Sequence, residues 1–174
     1  MIIVGLGNPD REHQQTRHNV GFMVLDALLE LETGASWKTE FGVAWARLGQ
    51  HWLIKPQEYM NVSGQTLKRF IEKKGIEWKV ADLLIVHDEL DFPLGEIHEQ
   101  RDRSAAGHNG VQSIIDAFNT KEFTRLRVGI GDNRLYDMPA EAYVLQRFTP
   151  DEQKIITATI KDLAHSLHER LIAA

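Results

Sequence analysis

Two short polar segments hold the side chains best suited to acid–base chemistry. His18 lies within TRHNVG at residues 16–21, and Asp88 lies within VHDELD at residues 86–91. An imidazole with one nitrogen oriented by a carboxylate can take a proton with its other nitrogen. His18 by itself also fits an ordinary surface residue at a helix start. The prediction of a general base therefore depends on Asp88 reaching His18 in the fold.

Three asparagines accompany this pair, and each sits at a predicted strand-to-helix transition. They are Asn8 in GLGNPD, Asn61 in YMNVSG and Asn109 in GHNG. Any one of them alone fits a helix cap or a turn. Carboxamides can also donate to a developing oxyanion and bind a substrate's amides without adding charge. Together with His18 and Asp88 they indicate a hydrolytic pocket without a protein nucleophile.

The segment GLGNPD raises the question of a nucleotide-binding loop. The dinucleotide fingerprint requires a third glycine where this chain has Asp10, and the Walker pattern is absent. The glycines therefore indicate a tight strand exit and not a phosphate cradle. Pro9 restricts the backbone of Asn8, so we expect the Asn8 carboxamide to be held in one direction at the carboxyl end of the strand.

Hydrophobic periodicity places these residues on alternating strands and helices. Strands are predicted at residues 1–6, 43–48, 51–55, 83–86 and 126–130, with Gly49-Gln50 as the tight turn of a hairpin. Helices are predicted from Val20 to near Gly34, over a segment closing at Gly75, after Asn109, and from Thr149-Pro150 onward. We therefore predict a single α/β domain over residues 1–174. Its mixed twisted sheet carries helices on both faces, in three α/β/α layers.

Composition narrows the class of protein. The chain has 174 residues, a net charge of −5 and no cysteine, which excludes a disulfide framework, a thiolate metal site and a cysteine nucleophile. It has no apolar run long enough to span a membrane and no basic leader segment, so we expect a cytoplasmic protein with no membrane partner. A nucleic-acid partner would need a local basic patch, because lysine and arginine supply most of the affinity for phosphates.

Six segments carry a resemblance to a known family. GLGNPD, TRHNVGF, KPQEYMNVSG, VHDELDFPLG, AGHNG and RLRVGIG occur in the order and approximate spacing of the bacterial-type peptidyl-tRNA hydrolases. The resemblance runs from Met1 to the last predicted helix. It implies a monomeric, metal-independent enzyme without a cofactor. Such an enzyme cleaves the ester between a peptide and the 3′-terminal ribose of tRNA, which recycles tRNA from stalled or aborted translation.

The resemblance also implies a role for each of the five polar residues. His18 matches the family's catalytic histidine, and Asp88 matches the aspartate that stabilises its basic form. Asn8 matches the residue assigned to distinguishing an acylated amino group from a free one. Asn61 and Asn109 match amides that hold the peptide backbone, the water or the tRNA end.

The chain departs from the family pattern at two places. Relatives usually have glycine and then tyrosine where this chain has Asp10 and His13, so His13 becomes a candidate substrate contact beside the matching cleft aromatic Tyr59. Relatives also carry a glycine-rich, lysine-bearing segment where this chain reads HEQRDRSAAGHNG. Arg101 and Arg103 are therefore the candidate contacts to tRNA phosphates.

A metallohydrolase is one alternative. Residues 87–91, HDELD, offer oxygen and imidazole ligands suited to magnesium, manganese or zinc, although consecutive residues on a strand point to opposite sides. On the last helix, the spacing of His165 and His168 fits either a pair of metal ligands or an ordinary exposed helix face.

A non-catalytic protein that binds RNA ends is the other alternative. It would keep the fold and lose turnover through the altered loop before GHNG. Four basic residues on the second helix fit either a further tRNA-binding face or an ordinary solvated helix side: Lys68, Arg69, Lys73 and Lys74.

Overall fold

The computed structural model describes residues 1–132, 134 and 137–173, and a seven-stranded sheet lies at its centre. The strands are β1 (Ile2–Gly5), β2 (Lys38–Glu40), β3 (Val43–Leu48), β4 (His51–Pro56), β5 (Leu83–Glu89), β6 (Ile97–Gln100) and β7 (Thr124–Gly129). The α-helices are α1 (Val20–Glu30), α2 (Ser63–Lys74), α3 (Asn109–Phe118), α4 (Ala140–Val144) and α5 (Pro150–Ile172). Short 3₁₀ turns cover Arg17–Asn19, Met60–Val62 and Val80–Asp82.

The sheet is mixed, with a parallel centre and antiparallel edges. Its strand order is β2-β3-β4-β1-β5-β7-β6. Strands β4, β1, β5 and β7 run parallel, whereas β3 pairs antiparallel with β4, β2 with β3, and β6 with β7. The carboxyl ends of the four parallel strands therefore meet at one edge of the sheet, which is where open α/β sheets bind ligands.

Alternating side chains of the central strands fill two apolar cores, one on each face of the sheet. Ile3 of β1 packs in a fully buried cluster with Leu25 of α1 and Leu163 of α5. Val4, the next residue of β1, belongs to the opposite cluster with Phe70 of α2 and Ile114 of α3. The predicted α/β class, with helices on both faces of a mixed sheet, is thus confirmed.

The predicted strands and helices are all present, and three short elements were not predicted. Strands β2 and β6 and helix α4 have only three, four and five residues, and the two strands are mostly exposed, so no apolar pattern marks them. Strand β5 extends to Glu89, because it pairs with β7 as far as Gly129. Asp88 therefore lies inside the strand and not after it, and Ala174, the end of the predicted domain, lies outside the described residues.

Two glycines let the start of α1 pack directly on the exit of β1. A Cβ atom on Gly5 would lie 2.4 Å from the carbonyl oxygen of Gly21, and one on Gly21 would lie 2.5 Å from the amide nitrogen of Leu6. The backbone at the start of α1 therefore contacts the backbone at the exit of β1 directly. This contact holds the Arg17–Asn19 turn against the sheet. The glycines of GLGNPD serve helix packing, consistent with the predicted tight strand exit.

Replacing Gly5 with alanine is expected to destabilise the protein by about 1–3 kcal/mol, since backbone must shift to admit the methyl group. Chemical denaturation measures this loss. Gly34→Ala is the control, because Gly34 has φ of +81° but open space around it, so only backbone strain of about 1 kcal/mol opposes the change. Equal losses for the two variants would contradict the packing explanation.

Among the described residues, none of the helices has the length and apolar character needed to cross a membrane.

Candidate active site

His18 and Asp88 meet at the edge where the parallel strands end. Nδ1 of His18 lies 2.9 Å and 3.0 Å from the two carboxylate oxygens of Asp88. Both residues are buried, with 8% and 3% of their surfaces exposed. Because a carboxylate only accepts, Nδ1 of His18 carries the proton, and Nε2 keeps its lone pair. Nε2 makes no hydrogen bond within the described part of the chain, so it is available as a base.

His108 is the third member of this cluster, and its ring also binds Asp88. Nε2 of His108 lies 2.9 Å from the same carboxylate oxygen, Oδ1. Nδ1 of His108 accepts hydrogen bonds from the backbone of Gly110 and Val111 and so caps the start of α3. These two donors require the neutral tautomer with its proton on Nε2. One carboxylate therefore receives N–H donors from two histidines.

The electrostatics of the cluster favour a charged Asp88 and a basic His18. Burial alone would raise the pKa of Asp88, but the charge of His18 and the hydrogen bonds from His18 and His108 hold that pKa well below its usual range. Burial lowers the pKa of His18, yet the charge and hydrogen bond of Asp88 outweigh burial and raise that pKa above the ordinary value. His18 is therefore a stronger base than a free histidine.

His87 packs beneath the cluster as a neutral ring. It is fully buried, and burial is the main cause that keeps its pKa well below the ordinary value. Its ring meets the His108 ring edge-on at a centroid distance of 4.7 Å. His87 thus supports His108 from behind and adds no charge to the site.

Asn8 is held in place by Asn19, which lies one residue after His18. The side chain of Asn19 accepts from the backbone nitrogen of Asn8 and donates to its carbonyl oxygen, both at 2.9 Å. Oδ1 of Asn8 accepts from the backbone nitrogen of Met60 at 3.0 Å. Nδ2 of Asn8 has no partner in the described part of the chain and remains a free donor. The predicted fixed direction of the Asn8 amide thus depends on Asn19 as well as on Pro9.

Asn109 faces a cavity of about 350 Å³ beside the histidine cluster, which is also lined by His18, Asp88, His108 and Val144. We call this cavity the histidine cleft. Asn109 is the first residue of α3 and is exposed. It does not cap the helix, because His108 does so. Asn109 therefore keeps its carboxamide available to a bound molecule.

Tyr59 and Asn61 lie on the surface at the entrance to α2. Tyr59 is 66% exposed, and Asn61, in the 3₁₀ turn Met60–Val62, is exposed as well. Neither lines the histidine cleft. Met60 between them donates its backbone N–H to Asn8. The structure therefore places both side chains near the loop of Asn8 and does not bring them to the histidine cluster.

Asp10 and His13, the two departures from the family pattern in GLGNPDREH, contact each other. Oδ1 of Asp10 accepts the backbone N–H of His13 at 3.1 Å and also binds Nδ1 of its ring. This hydrogen bond holds the pKa of Asp10 below its usual range. Asp10 therefore fixes the orientation of the partly exposed His13 ring, and the two departures form one local unit.

Arg17 anchors the turn that carries His18. Its guanidinium donates to the carbonyl oxygen of Ile130 at 3.0 Å and to Glu152 of α5 at 2.6 Å. It also lies 4.3 Å from the centroid of the Tyr143 ring in α4. The sequence analysis assigned no role to Arg17, because its partners are more than a hundred residues away. Arg17 ties the turn to the end of β7 and to both C-terminal helices.

The basic residues that were predicted to contact tRNA differ in whether they already make hydrogen bonds or ion pairs within the protein. Arg101 donates to the carbonyl oxygen of Glu122 at 3.3–3.4 Å, whereas Arg103 is exposed and makes no hydrogen bond within the described residues. On α2, Arg69 pairs with Glu58 and Lys74 with Glu40. Carboxylates therefore offset much of the α2 face, which favours the ordinary solvated helix side.

A cation site was predicted as an alternative at residues 87–91, but the described residues place only one group of ligands close together. That group is His18, Asp88 and His108. The nitrogens of both histidines that face Asp88 carry protons, and a protonated nitrogen cannot coordinate a metal. Among residues 87–91, Glu89 instead pairs with Arg127, and His168 of the C-terminal pair binds Glu32 at 2.8 Å. The hydrogen bonding thus fits an acid–base cluster better than a metal centre.

His108 is the functional residue that the sequence analysis missed. His108 lies in GHNG directly before Asn109, the polar amide of that motif that was predicted to contact substrate. A histidine just before a predicted helix, twenty residues after Asp88, is not by itself a signal of contact with that carboxylate. Only the tertiary fold, in which α3 and β5 contribute to the same apolar core, brings the two together.

Comparison with known proteins identifies relatives over nearly the whole chain. A family model described as peptidyl-tRNA hydrolase matches residues 2–173. A peptidyl-tRNA hydrolase of Thermodesulfovibrio yellowstonii is 40% identical over 171 residues, covering 96% of this chain and 90% of that protein. One from Aquifex aeolicus is 40% identical over 172 residues, covering 95% and 87%. The crystal structure of peptidyl-tRNA hydrolase from Acinetobacter baumannii matches with a TM-score of 0.81 and 32% identity, covering 99% of this chain and 90% of that one.

Proposed function

Because this chain belongs to the peptidyl-tRNA hydrolase family and releases tRNA from peptidyl-tRNA, we propose that His18 drives the reaction as a general base toward water. One observation carries this proposal. Nδ1 of His18 is occupied by Asp88, so Nε2 is the ring nitrogen of His18 that can take a proton at the histidine cleft. Positioned general-base help contributes about 10²- to 10⁴-fold to a rate.

The proposed reaction transfers one proton in each of two steps. Water attacks the carbonyl carbon of the ester while Nε2 of His18 accepts a water proton. The tetrahedral intermediate then expels the 3′ oxygen of the terminal ribose, and the imidazolium returns its proton to that oxygen. The products are a peptide with a free carboxyl group and a tRNA with a free 3′-hydroxyl. No cofactor and no covalent enzyme intermediate enter this scheme.

Two carboxamides supply the donors that this scheme needs. Nδ2 of Asn8 is free while its Oδ1 is held by Met60, so Asn8 presents a donor in a fixed direction. The exposed amide of Asn109 lines the histidine cleft. We assign these groups to the developing oxyanion and to the peptide's amides, where losing one donor costs on the order of 3 kcal/mol. We assign contacts with parts of the substrate that lie farther from the ester to Asn61, Tyr59 and His13.

His108 acts through Asp88 in this proposal. It donates to Oδ1 of Asp88, the oxygen that also lies nearest to Nδ1 of His18. This second donor stabilises the carboxylate in its charged form and fixes its plane. His108 is therefore a positioning residue that holds Asp88 ready to stabilise the imidazolium of His18.

The rival function is binding of RNA ends without catalysis. Release of peptide from a model peptidyl-tRNA separates the two functions directly, because a binding protein would retain the intact ester. We expect multiple turnovers, and binding without release would overturn the proposed mechanism.

Metal removal is expected to leave the rate unchanged, because the proposed base and donors are all side chains. The measurement is kcat after dialysis against EDTA, with an N-acetyl-aminoacyl ester of the CpCpA trinucleotide as substrate, since this substrate does not need magnesium to fold. Loss of activity that is restored by added zinc, manganese or magnesium would instead favour the metallohydrolase.

We propose that Arg103, in the loop before GHNG, contacts a tRNA phosphate. Arg101 is a second candidate, but its guanidinium already donates to the carbonyl oxygen of Glu122. Arg103→Ala is expected to raise KM for peptidyl-tRNA and to reduce the slope of log KM against log salt by about one, because one counterion fewer is released. Arg47→Ala, an exposed arginine on β3, is the matched control. A salt slope equal to that of the wild type would remove Arg103 from the tRNA interface.

We further propose that the protein works in the cytoplasm, where translation supplies its substrate, and as a monomer.

A further inference from the structure

The short turn that carries His18 is held in place from outside. This 3₁₀ turn, Arg17–Asn19, has three residues, and no side chain caps its start. Asn19, on one side of His18, binds the backbone of Asn8. Arg17, on the other side, donates its backbone N–H to the carbonyl oxygen of Gln146 at 3.0 Å. Both neighbours of His18 are therefore fixed by other parts of the fold.

The guanidinium of Arg17 makes this attachment rigid. Arg17 is only 2% exposed, and its guanidinium carbon lies 4.3 Å and 4.8 Å from the ring centroids of Tyr143 and Phe148. Nη1 donates to the carbonyl oxygen of Ile130 and Nη2 to Oε2 of Glu152. A planar guanidinium can stack and donate in two fixed directions at once, whereas an ammonium cannot. We call this set of five residues the arginine anchor.

Glu152 is itself fixed, at the first turn of α5. Its Oε2 also accepts the backbone N–H of Thr149 at 2.8 Å, and Oγ1 of Thr149 accepts the backbone N–H of Glu152 at 3.3 Å. Burial alone would raise the pKa of Glu152, but the hydrogen bonds from Arg17 and Thr149 hold that pKa below its ordinary value. The rest of α5 packs in the same apolar core as α1. One carboxylate oxygen therefore connects a long, core-packed helix to the turn of His18.

The position of this turn determines how His18 meets Asp88. Nδ1 of His18 lies 2.9 Å and 3.0 Å from the two carboxylate oxygens, so the ring is centred on the carboxylate. Asp88 belongs to the central strand β5. Hydrogen bonds weaken steeply when they are misaligned, and a misplacement of about 1 Å can lower a rate about 10²-fold even when its cause lies away from the reacting atoms.

We propose that Arg17 is a positioning residue for the hydrolysis, and that the arginine anchor keeps the ring of His18 aligned with Asp88. The proposal rests on the proposed function, because Arg17 acts on the reaction through the general base. Arg17 does not line the described part of the histidine cleft. The alternative is that the ion pair of Arg17 and Glu152 only stabilises the packing of α5.

Arg17→Ala in the full chain is the first test. We expect kcat to fall about ten- to hundredfold, while KM for N-acetyl-aminoacyl-tRNA stays within about threefold of the wild type. The pKa of His18, measured by NMR with His18→Ala to assign its signal, is expected to fall, because Asp88 is what raises it. Loss of a nearby positive charge would by itself raise that pKa. A fall therefore reports lost alignment with Asp88 and not the lost charge of Arg17.

Leu167→Ala is the control for a purely structural effect. Leu167 lies in the apolar core near the C-terminal end of α5, whereas Glu152 lies in the first turn of that helix. We expect Leu167→Ala to lower the midpoint of thermal unfolding and to keep the wild-type kcat and His18 pKa. If Arg17→Ala also loses only stability, with kcat within about twofold of the wild type and an unmoved His18 pKa, the proposal is overturned.

Glu152→Gln tests the same contact from its other end and decides the question if Arg17→Ala does not fold. It removes the charge that Arg17 binds, so we expect kcat to fall about three- to tenfold. Thr149→Ala is the matched control, because Thr149 caps the same turn of α5 without contacting the guanidinium, and it should keep the wild-type kcat. A wild-type kcat in Glu152→Gln, or an equal loss in Thr149→Ala, overturns the proposal.

The double variant Arg17→Ala/Glu152→Gln tests whether the two residues act through one contact. We expect it to be no more than about twofold slower than Arg17→Ala, because residues that share one interaction are not additive. Losses that multiply would show two independent effects and overturn the arginine anchor.

The pKa of His18 is measured without turnover, so the two proposals fail separately. Hydrolysis by His18→Ala at a rate near that of the wild type would overturn the general base, and a fall in the His18 pKa of Arg17→Ala would still show that the anchor aligns His18 with Asp88. Conversely, if His18→Ala is inactive while Arg17→Ala keeps the wild-type kcat and His18 pKa, the general base stands and the positioning role of Arg17 is overturned.

Discussion

His18→Ala is expected to lower kcat for N-acetyl-aminoacyl-tRNA by at least about 10²- to 10⁴-fold, the range that a positioned general base contributes. Nε2 of His18 is the proposed base, and the other histidine of the described histidine cleft does not offer a free nitrogen in its place. His108 keeps its Nδ1 on the backbone of α3, and the nitrogen facing Asp88 carries a proton. Single-turnover rates with saturating enzyme measure the chemical step separately from binding.

The matched control for this experiment is His165→Ala, because His165 is an exposed histidine on α5. It is expected to keep the wild-type rate. Circular dichroism and thermal unfolding should confirm that the buried substitution at position 18 leaves the fold intact. Turnover by His18→Ala within a few-fold of the wild type would exclude His18 as the base.

Asp88→Asn is expected to have two effects that appear together. The first is a fall in kcat of about 10²- to 10⁴-fold, because an amide neither stabilises the imidazolium nor enforces the tautomer of His18. The second is a shift of the acid limb of the pH–rate profile. In the wild type, Asp88 raises the pKa of His18 above its ordinary value of about 6.5. Activity is then lost as the pH falls through that raised pKa.

Without the charge of Asp88, only burial acts on His18, and burial lowers the pKa. The acid limb of Asp88→Asn should therefore move to lower pH, while the remaining rate at the plateau is small. Asp162→Asn, an exposed residue of α5, is the control and should leave both rate and limb unchanged. If kcat falls but the acid limb of the pH–rate profile does not move, Asp88 only orients the imidazole ring of His18. A changed KM with the wild-type kcat would make it a substrate contact.

The pairing of His18 with Asp88 illustrates how far the sequence predicted the site. His18 was named from its type at a predicted helix start and Asp88 from its type after a predicted strand, and the structure brings them within hydrogen-bonding distance. Asn8 was predicted to be held rigidly, and it is. Its carboxamide is held by the backbone N–H of Met60, and its backbone is held by the side chain of Asn19.

Contacts between distant segments are what the sequence could not predict. His108 joins Asp88 because α3 and β5 share one apolar core, and Arg17 reaches Glu152 because α5 packs against α1. Asp10 and His13 are only three residues apart, and Asp10 favours a turn, but no local pattern specifies that its carboxylate binds the His13 ring. In each case, the relevant geometry arises from packing and not from local pattern.

The sequence by itself determined the fold class, the order of the main helices and strands, the family, and the pair of residues at the centre of the proposed mechanism. These follow from hydrophobic periodicity and from short motifs, which are local properties of the chain. The tertiary structure alone decided the hydrogen-bonding pattern of the three-residue cluster and the position of the histidine cleft beside it. Charge and hydrogen bonding act through space, so they depend on distances that only the packed sheet and helices define.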